Sequence, residues 1–171
     1  MGPVSAQLDI DVARERAFDF IADLGNRSSF TDHFLSEFRL LGIESAVEGA
    51  GARFRCFAPP RAQWMDSAIH ALEPPRRISE RGHGGRSNRT AWATEWELLD
   101  GPGGLTSVRV VQWSEPAKAI DRAIEIAGAA SLWLQRDWRT ALRRLRDLLE
   151  SGEPEPASRP AGGNRVATGV P

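Results

Sequence analysis

Residues 118–150 carry apolar side chains at Ile120, Ile124, Ala127, Leu134, Trp138, Leu142, Leu145 and Leu149, with the small Ser131 in the same series. Steps of three and four residues put them on one stripe of a single amphipathic helix. Such a helix is about 50 Å long at ~1.5 Å per residue. Its stripe must be covered, and the only sequence available for that is the β-rich segment before it. A sheet closing on a long helix tends to leave a cavity between the two, so the pattern points to a binding site as well as to an architecture.

A chain of 171 residues with 41% hydrophobic content fits one ordinary domain with a real core. The net charge of -1 provides no global field to recruit nucleic acid or an acidic membrane. The single cysteine, Cys56, has no internal disulfide partner, and no charged-then-apolar leader precedes Val4, so a cytoplasmic address is expected. The apolar stretch at residues 127–134 is far short of the roughly 20 residues that cross a bilayer, and no membrane span is expected. Tyrosine is absent while tryptophan occurs six times, so large rigid rings must shape much of the interior.

Along the chain, residues 4–11 alternate as a strand with Val4, Ala6, Leu8 and Ile10 on one face. Asp11 is the expected N-cap of a helix running to about Leu24, with Ala17, Phe18, Ile21 and Leu24 at helical spacing and Gly25-Asn26 as its stop. A short second helical turn is expected at residues 29–34. From 37 to 113 short alternating runs are separated by turn chemistry at 49–51, 59–60, 74–75, 82–85 and 101–104, the pattern of an antiparallel meander. The clearest strand sets Trp92, Thr94, Trp96 and Leu98 against Ala93, Glu95 and Glu97; its hairpin partner sets Thr106, Val108 and Val110 against Ser107, Arg109 and Val111. Residues 151–171 have no apolar periodicity and read as a disordered Pro/Gly-rich tail, leaving 1–150 as the folded domain.

This order of elements resembles the helix-grip fold of the START-like, Bet v 1-like (SRPBCC) superfamily, which includes polyketide cyclase/dehydratase-like and lipid-transfer-like proteins. Four segments carry the resemblance: IDVARERAFDFIADLGN (10–26), GAGARFRC (49–56), HALEPPRRIS (70–79) and EWELLDGPGGLTSVRV (95–110). At Phe30 the chain departs from the tryptophan found in many relatives. The resemblance implies an α+β fold in which about seven antiparallel strands wrap a long C-terminal helix, with two short helices between the first and second strands. It implies little about chemistry, since carriers, cyclases and chaperone-like modules share the fold.

On a sheet that wraps a helix, strand parity decides which side chains face the cavity. Parity turns Phe54, Cys56, Met65, Ser67, Ile69, Trp92, Thr94 and Trp96 inward, and Ser131 and Gln135 on the long helix complete a mixture of large rings with small polar groups suited to a mostly apolar site. The expected ligand-binding set is Phe54, Cys56, Met65, Ile69, Trp92, Thr94, Trp96, Ser131 and Gln135. The same stripe could instead fill a packed core. His33, His70 and His83 have no metal-ligand spacing, and neither a metal nor a cofactor is expected. His33 and Glu80 are the candidates for acid-base work, Glu80 because it shares parity with Ile78, although both fit the description of solvated surface groups. Arg136, Arg139, Arg143 and Arg146 flank the long helix, and Arg76, Arg77, Arg81, Arg86 and Arg89 surround the 82–85 segment. Neither group comes with a base-stacking platform, so nucleic-acid binding is not expected.

Three functions remain: a carrier of a lipophilic small molecule; a polyketide cyclase, aromatase or dehydratase-like enzyme using the same cavity; and a protein-interaction module presenting Leu132, Trp133 and Leu148. An exposed apolar patch on the long helix would favour the third.

Overall fold

The computed structural model describes residues 1–58, 61–85, 88–119, 123 and 130–152. Its elements are β1 (Val4–Ile10), α1 (Arg14–Ala22), a 3-10 turn (Leu24–Asn26), α2 (Arg27–Thr31), β2 (Leu35–Leu40), β3 (Gly51–Ala58), β4 (Arg61–Glu73), β5 (Arg77–Gly84), β6 (Thr90–Asp100), β7 (Thr106–Pro116) and α3 (Ala130–Ser151). The seven strands form one antiparallel sheet in the order β1-β7-β6-β5-β4-β3-β2. Consecutive strands from β2 to β7 are neighbours, and β1 closes the far edge beside β7. The two short helices therefore carry the chain from one edge of the sheet to the other.

Period-two alternation accounts for the strands. Trp92, Thr94, Trp96 and Leu98 of β6 are buried together, and so are Thr106, Val108, Val110 and Gln112 of β7. The helical stripe accounts for α3, which buries Trp138, Ala141, Leu142, Leu145 and Leu149. Between helix and sheet runs a chain of rings. Trp138 meets Trp96 edge-on at 5.3 Å and Phe34 at 5.1 Å, and Trp96 meets Phe30 at 6.2 Å. The helix-grip expectation holds, with seven strands, a long C-terminal helix and two short helices between β1 and β2.

Four local expectations are corrected. Asp11 does not cap α1: the N-cap is Ala13 with no side-chain hydrogen bond, while the Asp11 amide donates to Glu150 at the end of α3. Gly25 and Asn26 do not simply stop α1; Asp23 ends it and accepts from the Gly25 amide, opening the 3-10 turn that leads directly into α2. Gly82 and Gly84 lie inside β5 rather than in a turn, because glycine is required there for close packing and not for reversal. Ser131 is exposed at the start of α3 and is not among the residues that the helix buries, so it does not belong to the stripe. Ile120, Ile124, Ala127, the 59–60 turn, Arg86 and residues 153–171 lie outside the described residues.

Candidate functional site

Inward side chains of the middle strands converge under Trp138. Cys56 from β3, Ser67 from β4, Glu80 from β5, Thr94 from β6 and Gln112 from β7 line a small internal cavity of about 20 Å³, room for about one water. Leu35 and Phe38 of the edge strand β2, together with Phe54 and Met65, close one side of it. β2 is irregular at this point. Its register with β3 shifts between Ser36 and Arg39, and Glu37 adopts φ 53°, so Phe38 turns to stack on Phe54 at 5.4 Å.

One wall of the cavity holds a buried ion pair. Arg27 opens α2 and Glu80 sits mid-strand; both are 3% exposed, and their nitrogen and oxygen are 2.6 Å apart. Glu80 also accepts from the Trp96 indole at 2.9 Å and from the Ser67 hydroxyl at 3.1 Å. Arg27 donates to the Ile21 carbonyl at 3.3 Å, and its guanidinium lies 4.8 Å over the Trp96 ring. A buried charge needs such company, since its removal from water is strongly unfavourable unless geometry and hydrogen bonds compensate. Gln112 is also engaged, accepting from the Trp138 indole at 2.7 Å.

Next to this pair, along β6, the wall is polar without being satisfied. The indole nitrogen of Trp92 and the hydroxyl of Thr94 are buried and have no hydrogen-bond partner among the described residues, and the same holds for Arg27 Nε. Glycines make room on this side. An ideal Cβ at Gly82 would lie 1.8 Å from the Asp66 carbonyl oxygen and 3.0 Å from the Trp92 ring, and one at Gly84 would lie 2.7 Å from Cγ of Met65. The two missing side chains thus let Trp92 and Met65 lie across β5. Cys56 is buried, and burial, with a smaller contribution from the Asp137 charge, pushes its thiol from 9.0 up to about 12. It is a neutral wall group and not a nucleophile at ordinary pH.

Of the expected ligand-binding residues, the structure brings Phe54, Cys56, Met65, Trp92 and Thr94 to the cavity. Ile69 and Trp96 are buried beside it in the packed core, with Trp96 reaching the site only through Glu80. Gln135 is bonded to the Ser5 carbonyl at 3.2 Å, over β1, and Ser131 does not line the cavity. Glu80 is a buried ion-pair partner rather than a solvated strand-edge group. His33 is exposed, with its Nε2 3.1 Å from the Asp137 carbonyl, and does not line the cavity. Two polar lining residues, Arg27 and Gln112, escaped sequence reading, as did the apolar Leu24, Leu35 and Phe38. Arg27 had no signal in the polar run NRSS, whereas Gln112 continues the inward parity of Val108 and Val110 and could have been found.

Outside this site, a wider surface groove of about 870 Å³ lies between the 41–51 segment and the outward side of β4 and β5. Leu132 and Trp133 are exposed on α3, Leu148 is half-buried, and Leu41, Ile43 and Val47 are exposed between β2 and β3. No helix among the described residues is long and apolar enough to cross a membrane.

Residues 1–150 match the family described as "Polyketide cyclase / dehydrase and lipid transport". The chain belongs to this family. The family match spans all seven strands and all but the last residue of α3. No curated protein matches the chain. Solved structures share its fold at low identity. The protein TTHA0849 from Thermus thermophilus is 15% identical, with a TM-score of 0.68, over 90% of this chain and 100% of its own. Ginseng major latex-like protein 151 from Panax ginseng is 12% identical, with a TM-score of 0.57, over 81% and 97%. DynU16, a putative protein in the dynemicin biosynthetic locus, is 18% identical, with a TM-score of 0.58, over 90% of this chain and 49% of its own.

Proposed function

We propose that the domain binds a small lipophilic molecule between the inward face of the sheet and α3, and carries or sequesters it. The observation that bears most weight is the combination of an aromatic, apolar cavity wall with buried polar groups lacking partners, since a finished core leaves few such groups unpaired. The cavity is small as it stands. Met65 is the flexible part of its wall, an unbranched side chain over Gly84 that can swing aside for a guest. The family's association with lipid transport supports the same reading.

An enzyme of the cyclase or dehydratase kind would use the same cavity, and the family description favours it as the second reading. Glu80 is the one buried carboxylate in the cavity wall, and three donors already engage it, an arrangement better suited to holding α2 against the sheet than to abstracting a proton. We place the protein in the cytoplasm, with the folded unit ending near residue 150 and the remainder a dispensable tail.

Native mass spectrometry of freshly purified protein, followed by organic extraction of any added mass, tests the carrier reading. A carrier arrives at least partly loaded with an extractable apolar compound. A ligand-free spectrum, together with no saturable change in tryptophan emission across a hydrophobic panel, would sink it.

A further inference from the structure

We infer that the cavity selects a neutral ligand whose inner end presents a carbonyl or hydroxyl oxygen to the Trp92 indole N–H and the Thr94 hydroxyl, and that it rejects carboxylates. This deepens the binding reading above and rests on it. Trp92 is 6% exposed and Thr94 is 1% exposed, and they occupy alternate positions on the inward face of β6, bordering the same cavity. An indole N–H can only donate and a hydroxyl can donate or accept, so their common complement is an oxygen acceptor. Buried donors left unpaired are rare because each forfeits its bond to water, and these two belong to neighbouring inward positions in the lining of one cavity.

Two other polar groups of the wall are already engaged, and Arg27, although its Nε is unpaired, is held by Glu80. Gln112 accepts from Trp138, and Ser67 donates to Glu80. The charge balance then sets the specificity. Arg27 would be the natural anchor for a fatty-acid or other carboxylate, but Glu80 neutralises it at 2.6 Å. A second anion would enter a wall that already sums to zero charge and would sit beside Glu80 without a counter-ion. A neutral oxygen meets no such penalty. The available space, about 20 Å³, fits one such atom group, and the apolar remainder of the ligand takes the volume that Met65 vacates.

The test uses three probes of nearly equal shape: ethylbenzene, acetophenone and benzoate. Each is titrated into the full chain, labelled with 15N at tryptophan; its six indole N–H signals are followed by NMR, with Trp92→Phe identifying the Trp92 signal. Acetophenone is expected to bind saturably, to move the Trp92 indole signal, and to bind about 3- to 10-fold tighter than ethylbenzene, the worth of one good hydrogen bond. Benzoate is expected to bind weakest. Thr94→Val and Trp92→Phe should each bring the ratio of acetophenone to ethylbenzene affinity close to one. Equal binding of ethylbenzene and acetophenone, or tightest binding by benzoate, would overturn the inference and leave the cavity reading standing. Binding by none of the three, with the Trp92 signal unmoved, would overturn both and assign the unpaired groups to a structural water.

Discussion

Glu80 and Gly82 lie two residues apart on the same face of β5, opposite Thr94 and Trp92 of β6, yet their surroundings are built on contrary principles. Around Glu80 every partner is present: Arg27, Ser67 and Trp96 converge on one carboxylate. At Gly82 there is no side chain and Trp92 fills the gap with its indole nitrogen unpaired, as is the hydroxyl of Thr94 next along that face of β6. The first region ties α2 to the sheet. The second leaves room and unused hydrogen-bonding capacity beside the cavity. A buried polar group says little about function until its partners are counted, because a satisfied cluster stabilises and an unsatisfied one invites a ligand.

Mutations at the two ends should behave differently, and the largest effect belongs to the satisfied end. Arg27→Met leaves Glu80 charged and buried without its counter-ion and should cost about 3 to 5 kcal/mol in denaturant unfolding. The double variant Arg27→Met/Glu80→Leu should recover a large part of that loss, because the uncompensated charge is gone. A single variant that unfolds like the parent would mean the ion pair is not buried.

Gly82→Ala follows. Its Cβ collides with the Asp66 backbone, which cannot move aside, so the loss should reach or exceed the upper end of the about 1 to 3 kcal/mol typical of overpacking. Gly84→Ala meets chiefly the Met65 side chain and should cost distinctly less. Equal losses at the two positions would remove the distinction between a rigid and a yielding wall.

Thr94→Val deletes a buried hydroxyl that has no partner, so stability should stay level or rise by up to about 1 kcal/mol. A clear loss would show that the hydroxyl is satisfied and would erase the contrast with Glu80. The smallest effect concerns Cys56. Its thiol is raised from 9.0 to about 12 by burial, so above pH 9 the unfolded chain gives up a proton that the native one keeps. Stability therefore falls as pH rises through that window, and Cys56→Ala should make the fall shallower in alkaline unfolding series.

Much of this molecule was legible in order and parity. The β6 and β7 faces, the buried half of α3 and the inward set Phe54, Cys56, Met65 and Thr94 follow from periods of 2 and 3.6, which are local properties. Glycine was misread at 82 and 84, since a residue without a side chain carries no parity signal and resembles a turn. Glu80 was recognised as inward, but its role could not be, because the residue that neutralises it lies 53 positions away in sequence.

Spacing between near neighbours was enough for the alternation of the strands that line the site, the buried stripe of α3 and the rings that fill the interior, and the family resemblance supplied the helix-grip order. Which buried polar groups are paired depends on the folded chain. Arg27 comes from α2, Ser67 from β4, Glu80 from β5 and Trp96 from β6, and they meet because an antiparallel sheet curls over one helix. Satisfaction of a hydrogen bond is a property of a position in space, and distant segments share such a position only after the chain has closed.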